Sequence, residues 1–285
     1  MPELPEVETV RRGLAERAVG RRVHKVMGEG GRLARHNPRG VEDLRAHLSG
    51  ATITGAERRG KWLWLHLDHS NLSLVVHLGM SGQARISTSG GTPLAKHEHL
   101  RLIFEDGTHV SFVDPRTFGH LTISPLTHDR TGRLIPAAAT ALAPDPLEEV
   151  AASVWTEPML RTRRAIKTAL LDQNVISGIG NIYADEALFR ARIPGRTPGR
   201  DLGEKRALGL IDVVRAVMLE ALDAGGTSFD SLYVDVEGNP GYFSRSLQVY
   251  GREGEPCLEC GGTIRREVLT GRSHFHCPTC QAALA

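Results

Sequence analysis

The sequence predicts an α+β protein with more than one domain, and three observations support this. Apolar residues recur at helical spacing near the amino terminus and give one face to a helix predicted over residues 1–17: Leu4, Val7, Val10 and Leu14. Residues 50–125 contain β-prone runs separated by turn residues, whereas the patterns after residue 146 are helical. The proline- and alanine-rich stretch from Pro125 to Pro146 is interpreted as a domain boundary. A length of 285 residues fits about two domains.

The first helix begins unusually close to the start of the chain. Pro2 and Pro5 are compatible with a first helical turn, where the backbone N–H groups have no intrahelical partner. Acidic and basic residues interrupt the segment, so it does not resemble a targeting signal. We therefore expect structure to hold the amino terminus in place.

The β-rich part divides into strands with clear turn signals. The runs WLWLHL (62–67) and LSLVVHL (72–78) are predicted strands, and LRLIFEDGTHVSFVD (100–114) is a predicted hairpin. Asp106-Gly107 suits a type I′ turn between the two hairpin strands. We expect two packed sheets with the first helix against one edge.

The helical part contains three predicted helices and a loop. One helix is predicted to start at Pro158 and to run to Leu171, and a short one covers residues 183–191. A long helix over residues 201–222 is predicted to begin with a capping box of Asp201 and Glu204. Residues 224–243 contain four glycines and read as a loop.

All four cysteines lie near the carboxyl terminus, in the pairs CLEC (257–260) and CPTC (277–280). Sixteen residues separate the pairs, which fits a zinc site made of two knuckles. Four thiolates surround zinc tetrahedrally and leave no open position, so the predicted site is structural and holds one Zn²⁺ through Cys257, Cys260, Cys277 and Cys280. The alternative is two disulfides, which is disfavoured because no secretion signal precedes them.

Bulk composition excludes some classes of protein. No run of 18 apolar residues is present, so no membrane span is expected. The net charge is only +2, which does not by itself indicate a nucleic-acid partner. The segment RTRRAIK (161–167) carries four positive charges, but a solvated helix face explains such a cluster equally well.

The amino terminus could act as a nucleophile. If Met1 is removed, Pro2 presents a secondary amine, and α-amines have a lower ordinary pKa than lysine side chains. Condensation of a secondary amine with a sugar C1 gives an iminium, which is an electron sink. Glu3 could then act as the acid or base. On these residues alone, Pro2 and Glu3 could equally be an ordinary start of a helix.

Several other residues could contact nucleic acid. Lys61 lies just before a strand, and Met80 stands between two glycines at a strand end. Arg116 and Phe118 are two apart after a strand-breaking proline, so they share one side of the chain and could form a wedge in DNA together with Met80. Asn181 follows a Gly-x-Gly turn that could bind an anion, and Arg272 could occupy the tip of a zinc-stabilised hairpin. Each of these also has a purely structural explanation.

Taken together, these segments resemble the formamidopyrimidine-DNA glycosylase family over nearly the whole chain. The matching motifs are MPELPEVET, RRGKWLWLHL, HLGMSGQ, DPRTFGH, GIGNIYADEALF, GGTSFDSLY, GYFSRSLQVYGREGEPC and the four-cysteine finger. The resemblance implies an N-terminal β-sandwich with flanking helices over residues 1–130. It further implies a helix–two-turn–helix domain with a lesion-capping loop over 131–243 and a zinc finger over 244–285.

The resemblance also implies an activity and a set of site residues. The family combines DNA glycosylase and abasic-site lyase activities in base excision repair, and it acts on oxidised purines such as 8-oxoguanine. The implied catalytic residues are Pro2 as Schiff-base nucleophile, Glu3 as acid, Lys61 in β-elimination and Arg272 in δ-elimination. The implied DNA contacts are His77, Met80, His97, Arg116, Phe118, Asn181 and Tyr250. Glu6 is implied to lie near the flipped base, and either Arg161 or Arg163 supplies a further basic contact.

The expected partner is double-stranded DNA that contains oxidised bases or abasic sites, and no membrane partner is expected. The protein is expected to be a monomer in the bacterial cytoplasm, associated with the nucleoid through DNA. Two alternatives stay open. One is the endonuclease VIII-like branch, which prefers oxidised pyrimidines, and the other is a non-catalytic zinc-dependent DNA-binding protein.

Overall fold

A computed structural model of the chain describes residues 2–68, 71–88, 93–227 and 234–282. The chain forms two compact units. The first contains Met1–Ala141 and Ala224–Tyr242, and the second contains Leu142–Asp223 and Phe243–Ala285. Residues 131–141 and Ala224–Tyr242, which the sequence assigns to the helical domain, thus pack within the first unit.

The first unit is a β-sandwich with two helices, as the sequence predicts. Its helices are α1 (Leu4–Arg17) and α2 (Val41–Leu48). Its strands are β1 (Val23–Met27), β2 (Ile53–Arg59), β3 (Trp62–Leu67), β4 (Leu72–His77), β5 (Gln83–Ser87), β6 (Glu98–Phe104), β7 (His109–Val113), β8 (His120–His128) and β9 (Leu134–Pro136).

The nine strands form two antiparallel sheets around one core. One sheet has the order β1-β6-β7-β5, and the other has the order β2-β3-β4-β8-β9. The buried cluster between them includes Leu65 and Val76 from one sheet, Leu102 and Val110 from the other, and Leu14 of α1. Burial of this apolar surface is the main force that holds the sheets and α1 together.

The predicted hairpin over residues 100–114 is confirmed, but its turn type is wrong. Gly107 has a positive φ of 82°, whereas Asp106 does not have the positive φ that a type I′ turn requires. The N–H of Gly107 donates to Phe104 O, and the N–H of Phe104 donates to Thr108 O. The loop therefore has three residues and ends in a left-handed glycine, which is the next most common hairpin loop.

The stretch from Pro125 to Pro146 is less irregular than its composition suggests. Pro125 lies within β8, and β9 pairs with the end of that strand, as in Leu126 opposite Pro136. A proline is tolerated at such positions when its missing N–H is not needed for the ladder. The first unit extends to Ala141, beyond these strands.

The second unit contains four helices and one hairpin. The helices are α3 (Ser153–Arg161), α4 (Ile166–Leu170), α5 (Asn181–Arg190) and α6 (Glu204–Asp223), and the hairpin strands are β10 (Arg265–Leu269) and β11 (Arg272–His276). The predicted helix from Pro158 to Leu171 is wrong. Pro158 lies inside α3, and the chain is extended at Thr162 before α4 begins.

The predicted capping box at the start of α6 is also wrong. Gly203, with a φ of 77°, precedes the helix and its carbonyl accepts the N–H of Ala207, so Asp201 lies too early to cap. Asp201 ends a separate 3-10 turn, Gly199–Asp201. Among the described residues, no helix is both long and apolar enough to cross a membrane.

Candidate active site and nucleic-acid interface

The start of α1 is buried and held by hydrogen bonds from within its own first turn. Pro2 and Glu3 are both buried, with Glu3 only 3% exposed. The backbone N–H of Glu3 donates to Glu6 Oε2 at 2.7 Å, as in a capping box. Glu6 Oε1 accepts the N–H of Thr227 at 2.8 Å. One carboxylate thus fixes both the amino-terminal segment and residue 227.

Lys61 occupies the two-residue turn between β2 and β3 and is 8% exposed. Gly60 precedes it with a φ of 57°, which only glycine adopts without strain. The Arg58 guanidinium donates to Gly60 O at 3.1 Å and to Glu8 Oε2 of α1 at 3.1 Å. This buried arginine therefore ties the lysine turn to the helix that carries Pro2.

A row of aromatic side chains crosses the sheet next to Lys61. Trp62, His77 and His120 are directly opposite one another on β3, β4 and β8. The His77 and His120 rings stack with centroids 5.1 Å apart, and His36 meets the edge of His120 at 4.5 Å. We refer to His36, His77 and His120 as the histidine row.

Burial disfavours the protonated forms of two rings in the histidine row, His77 and His120. Burial, followed by the positive charges of Lys61 and Arg35, lowers the pKa of His77 to about 4. Burial and the neighbouring His77 lower the pKa of His120 to about 3. An anion placed beside these rings would favour their protonated forms.

Two loops that are far apart in sequence are joined by one buried carboxylate. The Asp114 side chain is buried, with only 1% of the residue exposed. Its Oδ2 accepts the N–H of Gly119 at 2.7 Å. Its Oδ1 accepts the N–H of Arg116 at 3.2 Å and the hydroxyl of Ser81. Gly79 fits tightly against Phe118, because a Cβ at residue 79 would lie 2.5 Å from the carbonyl carbon of Phe118. The HLGMSGQ and DPRTFGH loops thus form one rigid surface.

That surface carries the predicted wedge. Phe118 is 48% exposed, and the Arg116 guanidinium lies 5.4 Å from the centre of its ring. Met80 is half-buried on the adjoining loop. Arg35 donates to the carbonyls of Gly119 and Phe118 at 2.6 and 2.9 Å, which holds the loop from behind.

His97 lies beside the same loop. It is exposed and has a φ of 64°, which is uncommon for a residue other than glycine. Its carbonyl accepts the N–H of Asp114 at 2.9 Å. The strained backbone at His97 is thereby fixed to the residue that organises both loops.

In the second unit, the hairpin tip and the start of α5 lie together. Thr270 and Gly271 both have positive φ, so β10 and β11 are joined by a type I′ turn that leaves Arg272 exposed. Asn181, the first residue of α5, donates to the carbonyl of Ser273 at 2.9 Å. Asn181 and Arg272 are therefore neighbours.

A buried ionic network anchors this hairpin. Asp185 Oδ1 contacts Lys167 Nζ at 2.7 Å and His274 Nδ1 at 2.6 Å, and Asp185 Oδ2 accepts the N–H of Phe275 at 3.0 Å. Lys167 also donates to Ser273 O at 2.6 Å. All four side chains of Lys167, Asp185, His274 and Phe275 are at least nine-tenths buried.

Tyr250 is positioned by a second buried carboxylate. Glu186 accepts the backbone N–H groups of Gln248, Val249 and Tyr250 at 2.8–2.9 Å. Burial raises the pKa of Glu186, although these three hydrogen bonds oppose the change. The Tyr250 ring packs 5.0 Å from that of Phe275.

The two candidate arginines of the RTRR segment differ in their surroundings. Arg161 ends α3 and forms an ion pair with Glu157 at 3.0 Å. Arg163 is exposed and forms no ion pair with the part of the chain that the structure describes. Arg164 pairs with Asp172 at 2.9 Å.

The four cysteines form the predicted zinc site. Their ligand atoms all lie within 4.8 Å of one another, with Cys257 and Cys280 sulfurs 3.9 Å apart and Cys260 and Cys277 sulfurs 3.5 Å apart. A tetrahedron with Zn–S bonds of about 2.3 Å has sulfurs about 3.8 Å apart. A disulfide requires about 2.05 Å, so the disulfide alternative is wrong. The site holds one structural zinc ion.

Sequence reasoning missed the residues that support these sites. A candidate residue or the segment that carries it is supported by a side chain that makes a contact over a long sequence separation: Asp114, Arg58, Arg35, Asp185 and Glu186. Asp114 is the first residue of the DPRTFGH motif, but no local pattern indicates its hydrogen bond with Ser81. The first unit carries Pro2, Glu3, Glu6, Lys61, His77, Met80, His97, Arg116 and Phe118. Described contacts join Glu3 to Glu6, Lys61 to His77, and His97 to the wedge loops. The second unit carries Asn181, Tyr250, Arg272 and the cysteines.

Comparison with known proteins agrees with this arrangement along the whole chain. Residues 1–121 match the formamidopyrimidine-DNA glycosylase N-terminal domain, residues 142–232 match the H2TH domain of that enzyme, and residues 254–283 match a zinc finger found in FPG and IleRS. Formamidopyrimidine-DNA glycosylases of Mycobacterium avium and Mycolicibacterium smegmatis are each 49% identical over 99% of this chain and 98% and 97% of their own lengths.

Solved structures give the same result. A Lactococcus lactis Fpg in complex with DNA containing an abasic site aligns with a TM-score of 0.83 and 32% identity over 99% of this chain and 100% of its own. Another structure of Lactococcus lactis Fpg, bound to DNA containing an oxidised pyrimidine, aligns with a TM-score of 0.84 over 99% of this chain and 100% of its own. With its β-sandwich, helical unit and four-cysteine finger, this chain belongs to the formamidopyrimidine-DNA glycosylase family.

Proposed function

We propose that this chain excises oxidised purines from duplex DNA and then cleaves the strand, with Pro2 as the nucleophile. The observation that carries the proposal is the buried start of α1, where Pro2 and Glu3 are tied through Glu8 and Arg58 to the Lys61 turn. A helix amino terminus disfavours a cation, which favours the neutral, nucleophilic form of an amine placed there. The family membership makes the reaction one of base excision repair.

The reaction proceeds by covalent catalysis. The Pro2 amine attacks C1′, and the bond to the base breaks with its electron pair leaving on the base, which takes up a proton. The attached nitrogen loses its proton and expels the ring oxygen, to which Glu3 delivers a proton, so that a cationic iminium remains. Loss of a C2′ proton then expels the 3′ phosphate, and a second elimination expels the 5′ phosphate.

The remaining residues bind and deform the DNA. Lys61 and the histidine row present a partly desolvated surface for phosphate, since Lys61, His77 and His120 lie at the same end of neighbouring strands. Phe118 and Met80 enter the space of the everted base, and Arg116 donates to the base left unpaired. In the second unit, Arg272, Asn181 and Tyr250 contact the DNA backbone. Arg163 rather than Arg161 supplies the basic contact, because Arg161 is engaged by Glu157 whereas Arg163 forms no ion pair with the described residues.

A trapping experiment tests the nucleophile. Incubation with abasic duplex DNA and borohydride should give a covalent adduct with the wild type, and Pro2→Gly should lower its yield at least about tenfold. Pro5→Ala is a matched control, because it changes a proline in the same helical turn that has no proposed chemistry. Normal trapping by Pro2→Gly, or by protein whose amino terminus is acylated, would refute the role of Pro2.

The pyrimidine-preferring activity is the second candidate, since a Lactococcus lactis relative is solved with DNA that contains an oxidised pyrimidine. Single-turnover excision of 8-oxoguanine opposite cytosine, compared with thymine glycol, separates the two. Faster excision of thymine glycol would favour this candidate. In either case the proposed substrate is duplex DNA, so we expect the protein to act on nucleoid DNA in the bacterial cytoplasm.

A further inference from the structure

One face of α1 is occupied by a segment from the far end of the first unit. This segment, here called the strap, consists of the described residues 224–227 and 234–242. Glu6, Gly13 and Arg17 are spaced by seven and four residues and so lie on one stripe of α1. Each contacts the strap: Glu6 accepts from Thr227, Gly13 faces Val236, and Arg17 pairs with Glu237 at 2.5 Å.

The contact at Gly13 leaves no free space. A Cβ at residue 13 would lie 2.4 and 2.9 Å from the two methyl groups of Val236, distances that real side chains essentially never show. Val236 is 4% exposed and belongs to the main core, and its carbonyl accepts the N–H of Ile86 at 2.8 Å. Glycine inside a helix is less favourable than alanine. The close packing against Val236 explains why this position is glycine.

The two arms of the strap are joined where they reach Glu6. Thr227 and Tyr242 form an antiparallel bridge, and Tyr242 donates its N–H to Ala224 O at 2.9 Å. Gly241 lies so close to Gly226 that a Cβ at 241 would be 2.2 Å from the carbonyl oxygen of Gly226. A displacement of the returning arm is therefore transmitted to the outgoing arm, which holds Glu6.

We propose that Gly13 is a positioning residue for base recognition. By admitting Val236 against α1, it fixes the strap, and the strap fixes the carboxylate of Glu6 beside the everted base. This inference rests on the proposed function, because it takes Glu6 as the group that faces the base. Gly13 itself touches neither the substrate nor Pro2; it acts through Val236 and Thr227.

The experiment compares two substrates with four variants. Gly13→Ala should slow single-turnover excision of 8-oxoguanine from duplex DNA by about tenfold, because the clash forces the strap away from α1. Cleavage of an abasic duplex needs no base recognition and should stay within about threefold of the wild type. The double variant Gly13→Ala/Val236→Ala removes both clashing methyl groups and should restore excision.

Gly209→Ala is the matched control. Gly209 is also a glycine inside a helix, but a Cβ there meets nothing within 4 Å, so this change should leave both rates unchanged. If Gly13→Ala does not fold, Val236→Ala alone should still lower the ratio of base excision to abasic cleavage. The proposal is overturned by an unchanged ratio, by equal losses on both substrates, or by a double variant no better than Gly13→Ala. Failure of the proposed function is distinct, since the wild type itself would then form no trappable imine on abasic DNA.

Discussion

Asp114 offers the sharpest test of how the wedge surface is built. Replacing Asp114 with alanine removes the acceptor for the N–H groups of Gly119 and Arg116 and for the hydroxyl of Ser81. We expect the two loops to separate and the protein to lose the ability to hold a base outside the duplex. The chemistry at Pro2 should be less affected, because α1 is anchored independently through Arg58.

The expected loss in the free energy of unfolding follows from how deeply each donor is buried. The Gly119 N–H is buried, and its loss of a charged acceptor costs about 3 kcal/mol. The Arg116 N–H keeps Ser81 Oγ as an acceptor at 3.2 Å, so it loses little. The buried Ser81 hydroxyl also loses its acceptor but can rotate towards another, which costs about 1 kcal/mol. Asp114→Ala should therefore lower the free energy of unfolding by about 4 kcal/mol. Asp114→Asn retains one acceptor and can donate to Ser81, so its loss should be smaller.

Two measurements check this prediction. Urea denaturation gives the free energy of unfolding, and single-turnover kinetics compare excision from intact 8-oxoguanine duplex with cleavage of abasic duplex. Asp106→Ala is the control, since Asp106 also accepts a turn N–H but is exposed. The reasoning fails if Asp114→Ala lies within about 1 kcal/mol of the wild type, or if it excises a base from intact duplex at the wild-type rate.

Two further predictions concern charge. Arg11 and Arg58 lower the pKa of Glu8 to about 2 against the opposing effect of burial, so the stabilisation from Glu8 is complete above its ordinary value of 4.5 and is lost as the pH falls towards 2. After a discount for solvent screening, Glu8→Gln should remove about 2 kcal/mol of this pH dependence, as measured by urea denaturation between pH 6 and pH 2.5; parallel curves for the two proteins would contradict it. Arg163→Ala should reduce the salt dependence of DNA affinity by about one phosphate contact, whereas Arg161→Ala should change it less. An equal effect of both changes in a binding titration at several salt concentrations would assign the contact to neither residue alone.

The sequence predicted the parts of the structure that depend on short spacings. The cysteine pairs specify their metal site because a tetrahedron of thiolates needs little beyond two tight knuckles. The strands WLWLHL and LSLVVHL were found because their residue types and flanking turns are local signals. The hairpin at Asp106-Gly107 was found, but its turn type depends on the backbone of a single residue, which composition does not specify.

Local sequence patterns cannot predict contacts between residues that are far apart in the sequence. Ser81 and Asp114 are 33 residues apart, and Glu6 and Thr227 are 221 apart, so no periodicity connects them. The capping box was placed at Asp201 because aspartate is a preferred cap, yet the carboxylate that accepts a cap N–H is Glu6 in α1. The residues themselves offer the wedge and the nucleophile beside structural alternatives, and the family resemblance favours the functional roles. The carboxylates and arginines that hold them appear only when the chain is folded.

The ionic network beneath the finger hairpin bears on how such modules move between proteins. A finger of this type is found in two families, which suggests a transferable unit of about thirty residues. Here, however, Asp185 and Lys167 belong to the helices, and without the finger they would keep their ion pair but lose the carbonyl of Ser273, the His274 ring and the N–H of Phe275 as hydrogen-bond partners. A graft of residues 254–283 onto another scaffold should therefore carry zinc yet dock poorly unless Lys167, Asn181 and Asp185 travel with it. Recombination at the finger boundary is constrained by these three residues as much as by the four cysteines.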